Sequence, residues 1–225
     1  MRNYFSKTEI ILWCSSVLLI VGAFCLFDRE SLLTLIASLI GVTSLIFCAK
    51  GNPVGQVLMI IFCILYGIIS FSFNYYGEMI TYLGMTMPMA VVSLVAWLKN
   101  PYKDNKSEVA VNSIGKKDIA LMCIAAAAVT VVFYFMLSYF NTANLIPSTV
   151  SVTTSFIAAY LTYKRSPYFA LAYASNDVVL VVLWIMASIR DVSYVSVVVC
   201  FFVFLFNDIY GFISWQRMKI RQSRQ

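Results

Sequence analysis

Eight apolar stretches, each long enough to cross a bilayer, occupy nearly all of this 225-residue chain. A spanning helix needs roughly 20 mostly apolar residues. The stretches fall at about 9–27, 31–49, 54–71, 78–98, 118–137, 146–163, 167–187 and 192–215. Backbone amides in hydrocarbon must be satisfied internally, so only helices and closed barrels cross it. The runs are continuous rather than short and alternating, which excludes a barrel. The expected fold class is all-α integral membrane, with eight transmembrane helices. The longest stretch left for water is about 99–117, so a chain of this kind moves a solute, senses one or modifies a lipid.

Positive charge sets the expected orientation. With eight spans, both termini share a side with the connections near Lys50, 99–117 and Lys164-Arg165. That side holds fourteen Lys and Arg; the other holds only Arg29 and Arg190. The basic side is expected to be cytoplasmic, with both termini there. Topology thus accounts for the net charge of +6 without a nucleic-acid partner. Segment 99–117 also carries Asp104 and Glu108, and reads as a solvated linker. Arg2 and Lys7 ahead of an apolar run imitate a signal peptide. The run is longer than an h-region, however, and Phe24-Cys25-Leu26-Phe27 has no small-residue cleavage pattern, so it is read as the first span.

The six cysteines fall inside the spans with no CxxC pair, and the chain has no histidine. No metal or cofactor is expected, and the cysteines read as small packing residues. There is no GxxxxGK[ST] loop, HxxxH pair or cluster of aspartates. The chain is accordingly not read as an enzyme.

Spans two to four and six to eight look like two copies of a three-helix unit, with span five as a connector. In each copy the first helix ends in a basic, proline-containing turn, Lys50-Gly51-Asn52-Pro53 and Lys164-Arg165-Ser166-Pro167. In each, the third helix ends at a tryptophan and a basic segment, Trp97-Leu98-Lys99 and Trp215-Gln216-Arg217. An odd helix between units of three preserves their orientation, so the repeat is parallel. The expected divisions are an N-terminal helix (1–30), repeat one (31–99), loop and linker helix (100–140), repeat two (141–217) and a basic cytoplasmic tail (218–225).

Function is sought at the polar residues inside the spans. Asp177 sits mid-span beside Asn176, and Asp208 beside Asn207, with no Lys or Arg in the central part of any span. A bare carboxylate at mid-membrane costs about 2.5–3.5 kcal/mol on insertion scales, so each should face a wet cavity or a partner. Hydrogen bonding to a neighbouring helix is the purely structural reading of these acids; a substrate site is the functional one. Helical spacing puts Tyr173, Asn176, Asp177, Leu180 and Trp184 on one face, and Phe204, Asn207, Asp208, Gly211 and Trp215 on another. The first copy offers Gln56 and Tyr66, then Tyr82, Thr86 and Met89 around Pro88, which could ease bending of its span. Trp97 and Trp215 read as interface-belt residues. Asn74-Tyr75-Tyr76-Gly77-Glu78 reads as an outer turn. The substrate-binding candidates are Asp177, Asn176, Tyr173, Asn207, Asp208 and Gln56, with Trp184 and Tyr66. Carboxylates, amides and aromatic faces suit a flat ring carrying a hydroxyl-rich sugar. Without central Arg or Lys, a phosphorylated substrate is disfavoured.

The run Gly41-Val42 through Ala49-Lys50-Gly51-Asn52-Pro53-Val54-Gly55-Gln56, then Tyr75-Tyr76-Gly77-Glu78, Met87-Pro88 and Trp97 through Asn100-Pro101, resembles the PnuC-type vitamin transporters. The resemblance covers about residues 31–217. It implies a three-plus-one-plus-three, SWEET-like core preceded here by one extra helix, in a homotrimer of the bacterial inner membrane. It also implies import of nicotinamide riboside by facilitated diffusion, with a cytoplasmic kinase trapping the product. Nicotinamide riboside members typically carry a WxxW pair four residues before an Asn or Asp. With Asp177 matched to that acid, the tryptophan positions fall at Ala170 and Tyr173, so the pair is absent. Thiamine, riboflavin and deoxynucleosides, the substrates of relatives, therefore stay open. From other classes, a membrane binding subunit served by a separate ATPase stays open as well; a membrane enzyme, for which Asp177 or Asp208 would be the intramembrane acid, is set aside for want of histidine and clustered carboxylates.

Overall fold

The computed structural model describes residues 4–72, 76–103, 105–142 and 144–224. Its helices are α1 (Lys7–Phe27), α2 (Leu32–Ala49), α3 (Val54–Ser72), α4 (Tyr76–Thr81), α5 (Met87–Lys99), α6 (Lys116–Tyr139), α7 (Leu145–Tyr163), α8 (Phe169–Ser188) and α9 (Val195–Ser223). A π-helical turn, Tyr82–Thr86, fuses α4 and α5 into one span, giving eight membrane-length helices among the described residues. The expected spans are all present. The last runs on to Ser223, so the basic tail is largely a continuation of α9. Asn74 and Tyr75, part of the expected outer turn, lie outside the described residues, as does Asp104.

Local chemistry sets the helix ends. Ser6 and Glu9 form a capping box on α1, Ser6 N–H donating to Glu9 Oε2 at 2.7 Å and Glu9 N–H to Ser6 Oγ at 3.2 Å. The π turn lies just ahead of Pro88, whose ring cannot donate to the carbonyl four residues back. Met87 N–H reaches Tyr82 O five residues back, and Thr86 Oγ1 donates to Thr81 O at 3.2 Å. The distortion thus sits in the turn before the proline, where Tyr82 O and Thr81 O each take a local donor.

The two proline turns have matching geometry. Gly51 (φ +66°) and Arg165 (φ +57°) both occupy the left-handed region. Gly51 N–H donates to Cys48 O at 2.9 Å and Asn52 N–H to Phe47 O at 3.0 Å; Arg165 N–H donates to Thr162 O and Ser166 N–H to Leu161 O, both at 3.0 Å. Each is a helix end closed by a left-handed residue. Trp97 Nε1 donates to Thr162 O at 3.0 Å, and Trp215 Nε1 to Cys48 O at 2.8 Å. Both indoles are fully buried with centroids 5.4 Å apart. This corrects the interface-belt expectation: each tryptophan fastens the end of one helix to the far half of the chain.

The loop expected to be solvated is also better ordered than its charge implies. A short antiparallel hairpin pairs Pro101–Tyr102 with Asn105–Val109, and Val109 is fully buried. Val109 N–H donates to Gly51 O at 2.9 Å and Asn112 N–H to Arg165 O at 3.0 Å, so one segment is tied to both proline turns. Gln222 on α9 holds it from the other side, accepting from Val111 N–H at 2.8 Å. With Asn52 Nδ2 donating to Tyr4 OH at 2.7 Å, these contacts put the first and last described residues at one basic end of the bundle. The core is formed by α2, α3, α5, α7, α8 and α9; α1 packs on α2 and α9, and α6 on α7. Only Ala126 and Leu137 of α6 are buried, as expected for a helix that mostly meets lipid.

Candidate functional site

Asp177 and Asp208 meet at a small cavity of about 30 Å³ in the middle of the bundle. Tyr173, Asn176 and Asp177 reach it from α8, and Phe201, Phe204 and Asp208 from α9. Leu45, Met59, Phe62, Tyr82, Thr86 and Ser155 complete the lining. Both acids are almost fully buried, and the lining contains no cation. Asp177 Oδ2 has no hydrogen-bond partner among the described residues. A buried carboxylate oxygen left unengaged by its own helices is costly unless something else comes to it. Asn176 is oriented from α7: its Oδ1 accepts from Ser151 Oγ at 3.2 Å and Thr154 Oγ1 at 2.8 Å. Its amide NH₂ is left as the end not engaged by α7.

The neighbouring walls are aromatic. Tyr66 stacks on Phe62 (5.5 Å, 29°) and lies 4.4 Å from the Tyr82 ring, centroid to centroid. Trp184 meets Tyr66 edge-on at 6.3 Å, and Phe201 does so at 5.8 Å. Phe204 packs on Phe62 at 5.6 Å. Toward the basic end a second cluster joins Trp97, Trp215 and Phe169, whose rings lie 4.8–6.4 Å apart. The carboxylate cavity therefore lies between two aromatic clusters. At about 30 Å³ it has room for about one or two waters, so a ring with a sugar enters only if the walls part.

Of the eight substrate-binding candidates, four line the cavity, Tyr173, Asn176, Asp177 and Asp208, and Tyr82, Thr86 and Phe204, noted beside them in the sequence, line it too. Tyr66 and Trp184 stand one layer back, behind Phe62, Tyr82 and Phe201. Asn207 turns away, its Nδ2 donating to Ser16 Oγ on α1 at 3.0 Å. It stands beside Asp208, but successive helix positions point about 100° apart. Gln56 packs near the basic end, with Nε2 donating to Cys48 Sγ at 3.3 Å. The lining residues missed include Ser155, one of the buried hydroxyls Ser148, Ser151 and Ser155 along one face of α7. That small-polar spacing was legible; the aromatic walls looked like ordinary packing.

The family described as nicotinamide mononucleotide transporter matches residues 31–217 of the chain. Over 217 residues the chain is 24% identical to the nicotinamide riboside transporter PnuC of Neisseria mucosa, covering 95% of this chain and 82% of that protein. Its fold matches the crystal structure of the vitamin B3 transporter PnuC with a TM-score of 0.84, at 21% identity, over 97% of this chain and 94% of that one.

Proposed function

The chain belongs to the nicotinamide mononucleotide transporter family, a family of membrane transporters rather than enzymes, and from that premise we propose that it imports nicotinamide riboside. The observation that carries the substrate is the buried pair Asp177 and Asp208, flanked by aromatic faces and uncompensated by any cation in the lining. A pyridinium ring is attracted by both the acids and the rings, and ribose hydroxyls suit the Asn176 amide and the carboxylates. A phosphate dianion would be repelled by the acids and would find no Arg or Lys. We therefore favour the riboside over the mononucleotide in the family's description.

In this reading two three-helix units, α2–α5 and α7–α9, rock about the cavity with α6 as linker, opening alternately to each side. Transport is facilitated diffusion in a bacterial inner membrane, with the basic end and both termini cytoplasmic and a cytoplasmic kinase trapping the product. The working assembly is a homotrimer. One observation favours a second cationic substrate, thiamine. At the first tryptophan position Ala170 is fully buried, and a Cβ built on Gly211 would lie 3.5 Å from its own. A stacking indole does not fit there, so ring recognition falls to Tyr173 and the aromatic walls.

A binding titration of the purified protein against nicotinamide riboside, its mononucleotide, thiamine, riboflavin and deoxyadenosine tests the assignment. Saturable riboside binding with the mononucleotide rejected is expected. Thiamine binding alone would move the substrate within the cationic class. Preference for the mononucleotide or for a neutral compound would refute the role given to the carboxylates.

A further inference from the structure

Outside the cavity, the most unusual surface is where an apolar groove meets a cationic concavity at the basic end. The groove, about 280 Å³, runs between α1 and α2 and is lined by Phe5, Ile10, Trp13, Ile46 and Phe47, with Glu9 at its end. The concavity, about 220 Å³, is formed where the hairpin lies against α9 and gathers Lys50, Arg217 and Arg221. Lys50 joins the two: its Nζ lies 3.2 Å from both oxygens of Glu9 and 4.9 Å from the centre of the Tyr4 ring. Tyr4 lines the concavity and Phe5 the groove, with ring centroids 4.8 Å apart.

Charge and length together identify an occupant. The three cations face two carboxylates, Glu9 and Glu108, the latter engaged by Arg221. One positive charge remains, and the Arg217 side chain makes no hydrogen bond or ion pair among the described residues. From Phe5 to Cys14 the groove covers about 14 Å at 1.5 Å per residue. That is close to one leaflet of a hydrocarbon core about 30 Å thick. We propose that this face is a specific site for an anionic phospholipid, its phosphodiester in the Lys50–Arg217 concavity and one acyl chain in the α1–α2 groove. A single amphiphile satisfies both halves of the surface, whereas a free phosphate would leave the groove uncovered.

Trp13 supplies the probe. It lines the groove and is 38% exposed, while the other three tryptophans are fully buried. The full-length protein in a non-ionic detergent is titrated with phosphatidylglycerol or phosphatidylcholine brominated midway along the acyl chains, and tryptophan quenching is followed. Quenching should saturate, at a concentration at least fivefold lower for phosphatidylglycerol, and vanish in Trp13→Phe. Arg217→Gln should bring the two lipids within twofold while leaving the thermal unfolding midpoint unchanged. Equal quenching by both lipids, or an unchanged preference in Arg217→Gln and in the Arg217→Gln/Arg221→Gln double variant, would overturn the proposal. So would displacement of the brominated lipid by inorganic phosphate alone, which would assign the concavity to a soluble anion. Trp13 shielded from both lipids in purified oligomers would give the face to a second copy of the chain and equally overturn it.

Discussion

Replacing Asp177 by asparagine should make the protein more stable and a poorer binder at once. No donor reaches Asp177 Oδ2 among the described residues, and the side-chain hydrogen bond between Asp177 and Asp208 can be kept by an amide N–H, so the near-isosteric asparagine sacrifices none. The change removes a buried acid that interacts with the charge of Asp208, in a cavity whose lining holds no cation. Buried charge of this kind costs about 2.5–3.5 kcal/mol at mid-membrane, and the room for one or two waters beside it offsets part of that. We expect a gain of roughly 1–2 kcal/mol, which in a chain of this size raises the unfolding midpoint by about 2–8 °C. The opposite effect falls on a cationic substrate. A hydrogen bond or contact to a charged group is worth about 1.5–3 kcal/mol, so affinity should drop roughly 10- to 150-fold. Thermal unfolding in detergent and a riboside titration of the same preparations measure both. A destabilised Asp177→Asn that binds normally would show the acid to be a structural hydrogen-bonding group and refute the reasoning.

Gly41→Ala should impair transport more than folding. Its Cβ would lie 2.4 Å from Phe204 Cζ and 3.1 Å from Phe62 Cδ2, so two cavity walls must shift; uptake into vesicles should fall several-fold while the overpacking costs about 1 kcal/mol, because the nearest atoms are ring tips rather than backbone. Trp97→Phe and Trp215→Phe should each cost about 0.5–1.5 kcal/mol for the lost indole hydrogen bond, because Thr162 O and Cys48 O each keep a backbone donor, Arg165 N–H and Gly51 N–H. Similar losses from the two variants, measured by thermal unfolding, are expected; a loss from only one would show that the contacts are not equivalent.

Hydropathy alone placed every span, because hydrocarbon tolerates no other backbone arrangement. It placed them to within a few residues, except at the last, where Arg217 to Arg221 continue α9 beyond the apolar run. Charge density misread the loop at 99–117. Its order comes from Val109 and the backbone bonds to Gly51 and Arg165, which no local pattern announces. Buried acids were legible as anomalies, and Asp177 and Asp208 line the cavity. Asn207 was not separable from Asp208 by rank along the chain, since the partner that turns it away, Ser16, is nearly two hundred residues distant. The same limit hid Trp97 and Trp215. An indole near a helix end suits a membrane interface equally well until the carbonyl it bonds is known.

Those two tryptophans carry a symmetry argument. One half of the chain donates an indole N–H to the other at Thr162 and accepts one in return at Cys48, each carbonyl five residues ahead of a proline. Contacts that exchange under a two-fold rotation are the mark of an isologous interface, in which one patch is complementary to itself. Here the two reciprocal bonds lie within one chain, so each half braces the other at the basic end of the bundle. The cavity does not follow that reciprocity. Both carboxylates of the cavity come from α8 and α9, while Cys63 stands ten residues after Pro53 where Asp177 stands ten after Pro167. The tryptophan contacts are reciprocal and the acids are not, so the cavity is charged from one half of the chain alone.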